Sequence, residues 1–173
     1  MKTVYFAGPD VFDPDYPLFQ AEIKALCVPL AIRPLLPGDQ ELREFEGGKA
    51  GEAEAIFRQN LALIDQAEGV LANLSPFRGV IEPDSGTVFE CAYAYGRGKW
   101  VIGYLPDRRA VLTKLRESGL AKDDSRDRDG RLIEDFGLPL NLMLVRALAA
   151  LAGSLEEALK MAHQFNPISV SRF

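Results

Sequence analysis

The chain has little of what most hydrolytic and metal-dependent chemistry requires: its 173 residues include one histidine and two cysteines. The lone imidazole, His163, falls near the end of an expected tail helix, far in sequence from the acidic motif, and reads as a surface residue. That argues against nucleophiles activated by a Ser-His or Cys-His pair. One His and two scattered Cys cannot supply a normal zinc ligand set either. Cys27 and Cys91 have no metal-ligand spacing and read as small core hydrophobes of a reducing compartment. Basic charge is also short: 20 Lys and Arg stand against 25 Asp and Glu, giving a net charge of -5 and a pI near 5.0. A duplex nucleic-acid partner, which needs a basic face, is therefore not expected. No apolar run approaches the ~20 residues of a membrane span, and the run at the amino terminus is too short for a signal peptide. A cytosolic protein without membrane contact is expected.

Phosphate and calcium loops are missing too. Tyr95-Gly96-Arg97-Gly98-Lys99 lacks Walker or Rossmann spacing and follows a helix instead of preceding one. With Gly130 taken as the sixth position of a calcium loop, Ser125 would stand first and Phe136 twelfth, so the end ligands are absent. What remains is carboxylates, tyrosines and amides, an inventory that favours glycosyl transfer without a metal.

What is present is ample core material, 47% hydrophobic, arranged as one expected domain over 1–173. Strands are expected over Thr3 to Ala7, Ala31 to Leu36, Gly69 to Leu74 and Trp100 to Tyr104, with the second placed at an edge by its proline. Helices are expected over Tyr16 to Leu26, Ala53 to Ala67, Thr87 to Tyr95, and Pro139 to Ala152, with a further one opened by the capping box Ser154-Leu155-Glu156-Glu157. The second of these carries Ile56, Asn60, Leu63, Ile64 and Ala67 at helical spacing. A polar loop runs from Pro37 to about Gly51, and the charged run from Lys122 to Gly130 reads as a solvated loop. This alternation predicts an α/β fold: a flavodoxin-like, doubly wound parallel sheet flanked by helices on both faces. The Pro139 to Ala152 segment is apolar nearly all round, as in a central core helix or one at a subunit interface.

One segment stands apart. Glu82-Pro83-Asp84-Ser85-Gly86-Thr87-Val88-Phe89-Glu90 sets two carboxylates six residues apart across a strand-to-helix turn. The carboxyl edge of an open parallel sheet is where such folds place ligands, and Glu90 is expected there in the first turn of its helix. One carboxylate can attack an anomeric carbon while a second acid manages the proton on the departing base. The same residues also fit ordinary structure, Thr87 to Glu90 as a capping box and Asp84 as a turn residue.

Further residues carry a resemblance to the nucleoside 2-deoxyribosyltransferase family. Val4-Tyr5-Phe6-Ala7-Gly8-Pro9 resembles its opening strand and loop, as do Asn60-Leu61 and Ala72 to Gly79 its central strand and following loop. Asp84 to Ala94 is similar to its catalytic signature, and Phe136 to Met143 to a late motif. The resemblance implies Glu90 as nucleophile, Asp84 as the acid assisting base protonation, and Tyr5 as the residue orienting the nucleophile. It also implies that Asn141 reaches a neighbouring subunit's site, hence a homo-oligomer. Gly8, Asn73 and Gly86 in the matching loops complete the expected substrate-binding set with Phe12, which together with Phe77 is read from the loops as a candidate to stack on a base or to cover core. Glu68 belongs to it as well, standing where the family usually has Asp. The implied activity is cofactor-free transfer of 2-deoxyribose between nucleobases in nucleotide salvage, with nucleosides favoured over nucleotides. An N-glycosidase passing the intermediate to water and a silent nucleotide-sensing module are the alternatives.

Overall fold

The computed structural model describes residues 1–39, 47–79 and 81–166. Its strands are β1 (Lys2–Ala7), β2 (Ile32–Leu35), β3 (Gly69–Asn73), β4 (Trp100–Tyr104) and β5 (Ala150–Ala152). They form one parallel sheet in the order β2-β1-β3-β4-β5. Parallel neighbours need crossovers, and those are helices α1 (Tyr16–Cys27), α2 (Gly48–Gln66), α3 (Ser85–Gly96) and, after β4, α4 (Val111–Glu117) with α5 (Leu142–Ala147); α6 (Leu155–Gln164) closes the described chain. The expected flavodoxin-like sheet is present, with Pro34 in edge strand β2. Of the loop expected from Pro37 to Gly51, residues 40–46 lie outside the described residues.

Period-two alternation in the strands builds two cores. Val4 and Phe6 of β1, Leu71 of β3 and Ile102 of β4 face α1 and α6, where they meet Ile23, Cys27, Ala158 and Leu159. Tyr5 and Ala7, Val70 and Ala72, and Val101 face the opposite side and meet Leu63, Ile64, Cys91, Ala94 and Leu144 of α2, α3 and α5. Both cysteines are fully buried, as expected. The same alternation aims Tyr5 at the face that carries α3, which decides its role below. Close strand approach needs Gly69: a Cβ there would lie 2.0 Å from the Trp100 ring across the β3–β4 pair.

Two expectations are corrected. The apolar stretch from Pro139 to Ala152 is not one helix; α5 spans only Leu142–Ala147, and Ala150–Ala152 forms edge strand β5, paired with Ile102 to Tyr104. Periodicity cannot separate a buried strand from a buried helix in a short apolar run, and the open edge of β4 decided the matter. Nor is Thr87 a cap. The helix begins two residues earlier, with Asp84 as its N-cap accepting from Thr87 N at 2.9 Å and Thr87 Oγ1 at 3.1 Å. Glu90 therefore sits in the second turn of α3, where a reciprocal capping box with Thr87 is impossible. The tail helix is capped as expected, Ser154 accepting from Glu157 N.

Candidate active site

Sheet order β2-β1-β3 makes the carboxyl ends of β1 and β3 the point where the winding reverses, the usual crevice for ligands in open α/β sheets. A cavity of about 410 Å³ opens there. Glu90 lines it from α3, Asp84, Gly86 and Thr87 from the start of that helix, Asn60 from α2, and Gly8 and Phe12 from the loop after β1. The two carboxylates of the sequence motif thus share one cavity.

Glu90 is held from below. The Tyr5 hydroxyl donates to its Oε1 at 2.7 Å, and Asn60 Nδ2 donates to the same oxygen at 3.1 Å. Both of these bonds fall on Oε1, which leaves Oε2 for the cavity. Burial raises the carboxyl to about 7, against the lowering effect of the two donors, and the Asp84 charge adds a further upward push. The group therefore changes charge near neutrality. Tyr5 is pushed up, first by its own burial and then by Glu90, so it remains a neutral donor. Burial and Glu90 also raise Cys91, the next residue along α3, to about 12, which keeps its thiol protonated and inert.

Asp84 does two jobs with one side chain. Its Oδ2 caps α3 through Thr87, and its position on the cavity wall brings a second carboxylate toward Glu90. Gly86 fits beside it, since a Cβ there would stand 3.0 Å from Asp84 Oδ2.

The remaining expected site residues separate. Gly8 lines the cavity because a side chain cannot: a Cβ would meet Asp10 Oδ2 at 2.2 Å. Asn73 is turned to structure, its Nδ2 donating to both Asp10 oxygens at 3.0 and 3.1 Å while its Oδ1 accepts from Ser75 N. Phe12 lines the cavity but also stacks on Phe77, with ring centroids 5.3 Å apart and planes 17° from parallel. Glu68 is not brought to the cavity. It precedes β3 at the amino edge of the sheet, exposed, and accepts from Thr3 N at 3.0 Å. A strand of five residues separates the two edges, so the role expected for Glu68 is corrected to a tie between β1 and β3.

Asn141 lies elsewhere too. It caps α5, accepting from Met143 N and donating to Glu134 Oε2, and it lines a second cavity of about 520 Å³ between α3 and α5 with Val88, Ala92 and Tyr95. His163 is exposed in α6 with a ring nitrogen 2.8 Å from Leu30 O, remote from the acidic motif.

Sequence reasoning missed Asn60 and Tyr16 as site residues. Asn60 was legible as a polar residue at an inward position between Ile56 and Leu63, a register normally filled by apolar side chains. Tyr16 lines the cavity and donates to Pro37 O at 2.8 Å, which fixes the described start of the loop after β2; nothing in the sequence marked it. No group of His, Cys, Asp and Glu that could hold a metal ion occurs among the described residues.

Fold and site together define a doubly wound α/β protein with a half-buried, donor-supported carboxylate at its topological switch point. The family profile of nucleoside 2-deoxyribosyltransferases matches residues 4–143, and the chain belongs to that family. A 2-desoxiribosyltransferase from Leishmania mexicana is 33% identical, with a TM-score of 0.77 over 95% of this chain and 98% of that one. A 2-deoxyribosyltransferase from Bacillus psychrosaccharolyticus shares the fold at 18% identity and a TM-score of 0.59, covering 95% of this chain and 92% of that one. An uncharacterised protein of Schizosaccharomyces pombe is 30% identical over 67% of this chain, which matches 56% of that protein's length.

Proposed function

We propose that the protein transfers 2-deoxyribose between nucleobases through a covalent intermediate on Glu90. The observation that carries this reading is the donor pair on Glu90 Oε1, which orients a single carboxylate at the wall of a nucleoside-sized cavity while its other oxygen stays available. In the first half-reaction Oε2 attacks C1′ as the C1′–N bond breaks. The bonding pair leaves with the base, which takes up a proton with the help of Asp84. In the second, a ring nitrogen of the incoming base attacks C1′ as its proton passes to Asp84, the reverse of the first step, the ester bond to Glu90 breaks with its pair returning to the carboxylate, and the product has net retention. Chromatography of a panel of 2′-deoxynucleosides, each with and without a different free base, tests this. New deoxynucleoside that depends on acceptor supports the transferase, while equal release of base without acceptor indicates hydrolysis.

The double duty of Asp84 can be separated by substitution. Asp84→Asn keeps an oxygen acceptor for Thr87 but removes the acid, and is expected to lower transfer by about 10²–10⁴-fold while stability changes little. Asp84→Ala should show the same loss of rate together with a further 0.5–2 kcal/mol, roughly, of destabilisation from the missing cap. Denaturant titration beside the rate assay checks this. A rate unchanged in Asp84→Asn would leave Asp84 as a cap alone.

We further propose that the active form is a homo-oligomer in which Asn141 lies at a subunit interface. Support comes from its place outside its own chain's Glu90 cavity, beside Met143, which is 74% exposed, and Tyr95, which is 50% exposed. Sedimentation should show a species larger than the 19.1 kDa chain at micromolar concentration. A monomer that turns over would overturn the proposal.

A further inference from the structure

We propose that Phe77 and Arg78 are positioning residues for the nucleobase: they hold Phe12 as the wall on which the base stacks, without touching the base themselves. The inference rests on the nucleoside reading of the cavity. Phe12 lines that cavity, yet it is 58% exposed and sits on a short 3-10 turn, Pro9–Phe12, so its own surroundings do little to fix its ring. What fixes it lies on the other loop of the switch point. Phe77 stacks against it at 5.3 Å, and the Arg78 guanidinium carbon lies 4.6 Å from the Phe77 ring centroid and 5.3 Å from that of Phe12.

Three features set this apart from chance contact. Arg78 has φ 54°, a left-handed conformation that side chains other than glycine and asparagine seldom adopt. Its guanidinium has no carboxylate partner among the described ion pairs, so the rings are its recorded contacts. The same two loops are also tied at their base, where Asp10 accepts twice from Asn73 and Asn73 accepts from Ser75 N. Gly8 is what lets Asp10 fold back into that tie. Neither Phe77 nor Arg78 is among the described residues lining the cavity; Phe12 is the lining residue that both side chains are recorded against.

The test is calorimetric titration of free adenine and of free cytosine into the full chain, wild type and variants, with thermal melting as a check of folding. Phe12→Leu should weaken binding of whichever base binds by about tenfold, the scale of one lost aromatic stack. Phe77→Leu and Arg78→Gln should each reproduce a part of that loss, roughly threefold or more, and Arg78→Lys should restore some of it by returning the cation. Phe12→Leu/Phe77→Leu should be no weaker than Phe12→Leu alone, since residues acting through one contact are not additive. In the transfer assay Phe77→Leu and Arg78→Gln should raise KM for the acceptor base and leave kcat at saturation within about twofold. Wild-type affinity in both Phe77→Leu and Arg78→Gln, or strictly multiplicative losses in the double variant, would overturn the positioning role. Wild-type protein that binds base with the expected pattern but forms no new deoxynucleoside would overturn the transferase reading alone.

Discussion

Glu90→Ala is expected to stay folded and to lose transfer by about 10⁴-fold or more, the scale seen when a covalent nucleophile is removed from a preorganised site. The side chain is positioned from three independent elements, β1 through Tyr5, α2 through Asn60 and its own helix α3, yet none of them depends on it for its core packing. Its removal relieves a carboxyl that burial raises to about 7, but it also takes the acceptor from the buried Tyr5 hydroxyl and from Asn60, so a loss of about 1–3 kcal/mol of stability is expected beside the much larger loss of rate. Rate and melting temperature measured on the same preparation check both halves of the expectation. Were Glu90 merely structural, truncation would lower stability and spare the rate. Full activity in the alanine variant would dismiss the covalent mechanism.

The second large effect is on pH dependence. Glu90 must be ionised to attack, and its carboxyl is raised to about 7. Below that pH the nucleophile is protonated, so kcat/KM should climb with unit slope and level off above about 7. Tyr5→Phe deletes a donor that favours the ionised form, so its ascending limb should move to higher pH, as should that of Asn60→Leu. The sign for stability follows from the same shift. Between the ordinary value of 4.5 and about 7 the folded state holds a proton that the unfolded chain has released. Stability from this group is therefore complete below pH 4.5 and is lost as pH rises through 7. Glu90→Gln removes that loss, and should be the more stable protein at pH 8 by roughly 1–3 kcal/mol, given 1.36 kcal/mol per pH unit. Their stabilities should converge near pH 4. Denaturant titrations of both proteins from pH 4 to 8 read the difference directly, and a constant offset across that range would refute the linkage.

Much of this was legible before any coordinates. The buried runs at Thr3 to Ala7, Gly69 to Leu74 and Trp100 to Tyr104 announced strands because continuous apolar sequence bounded by turn residues has few other uses in a parallel sheet. Asp84 and Glu90 announced a site because two carboxylates across a strand-to-helix turn must share the sheet's carboxyl edge. Elsewhere local pattern was not enough. The stretch from Leu148 to Ala152 has alanine-rich, helix-favouring composition, and only the free edge of β4 makes a strand of it. Glu68 was matched by sequence position, but it precedes β3 at the far edge of the sheet and is not among the residues lining the Glu90 cavity.

The sequence by itself determined the fold class, the two buried cysteines, the edge position of β2 and the pair of acidic residues, because each depends on periodicity, composition or spacing along the chain. Tertiary structure decided which side chains meet. Glu90 meets Tyr5 across 85 positions and Asn60 across 30, and Asp10 meets Asn73 across 63. Such pairings follow from strand order and from which face each residue presents, and no local pattern encodes them. The charge state of Glu90 belongs to the same class. A carboxylate in the sequence has the ordinary affinity for its proton; only packing removes the water around it and moves that affinity to neutrality.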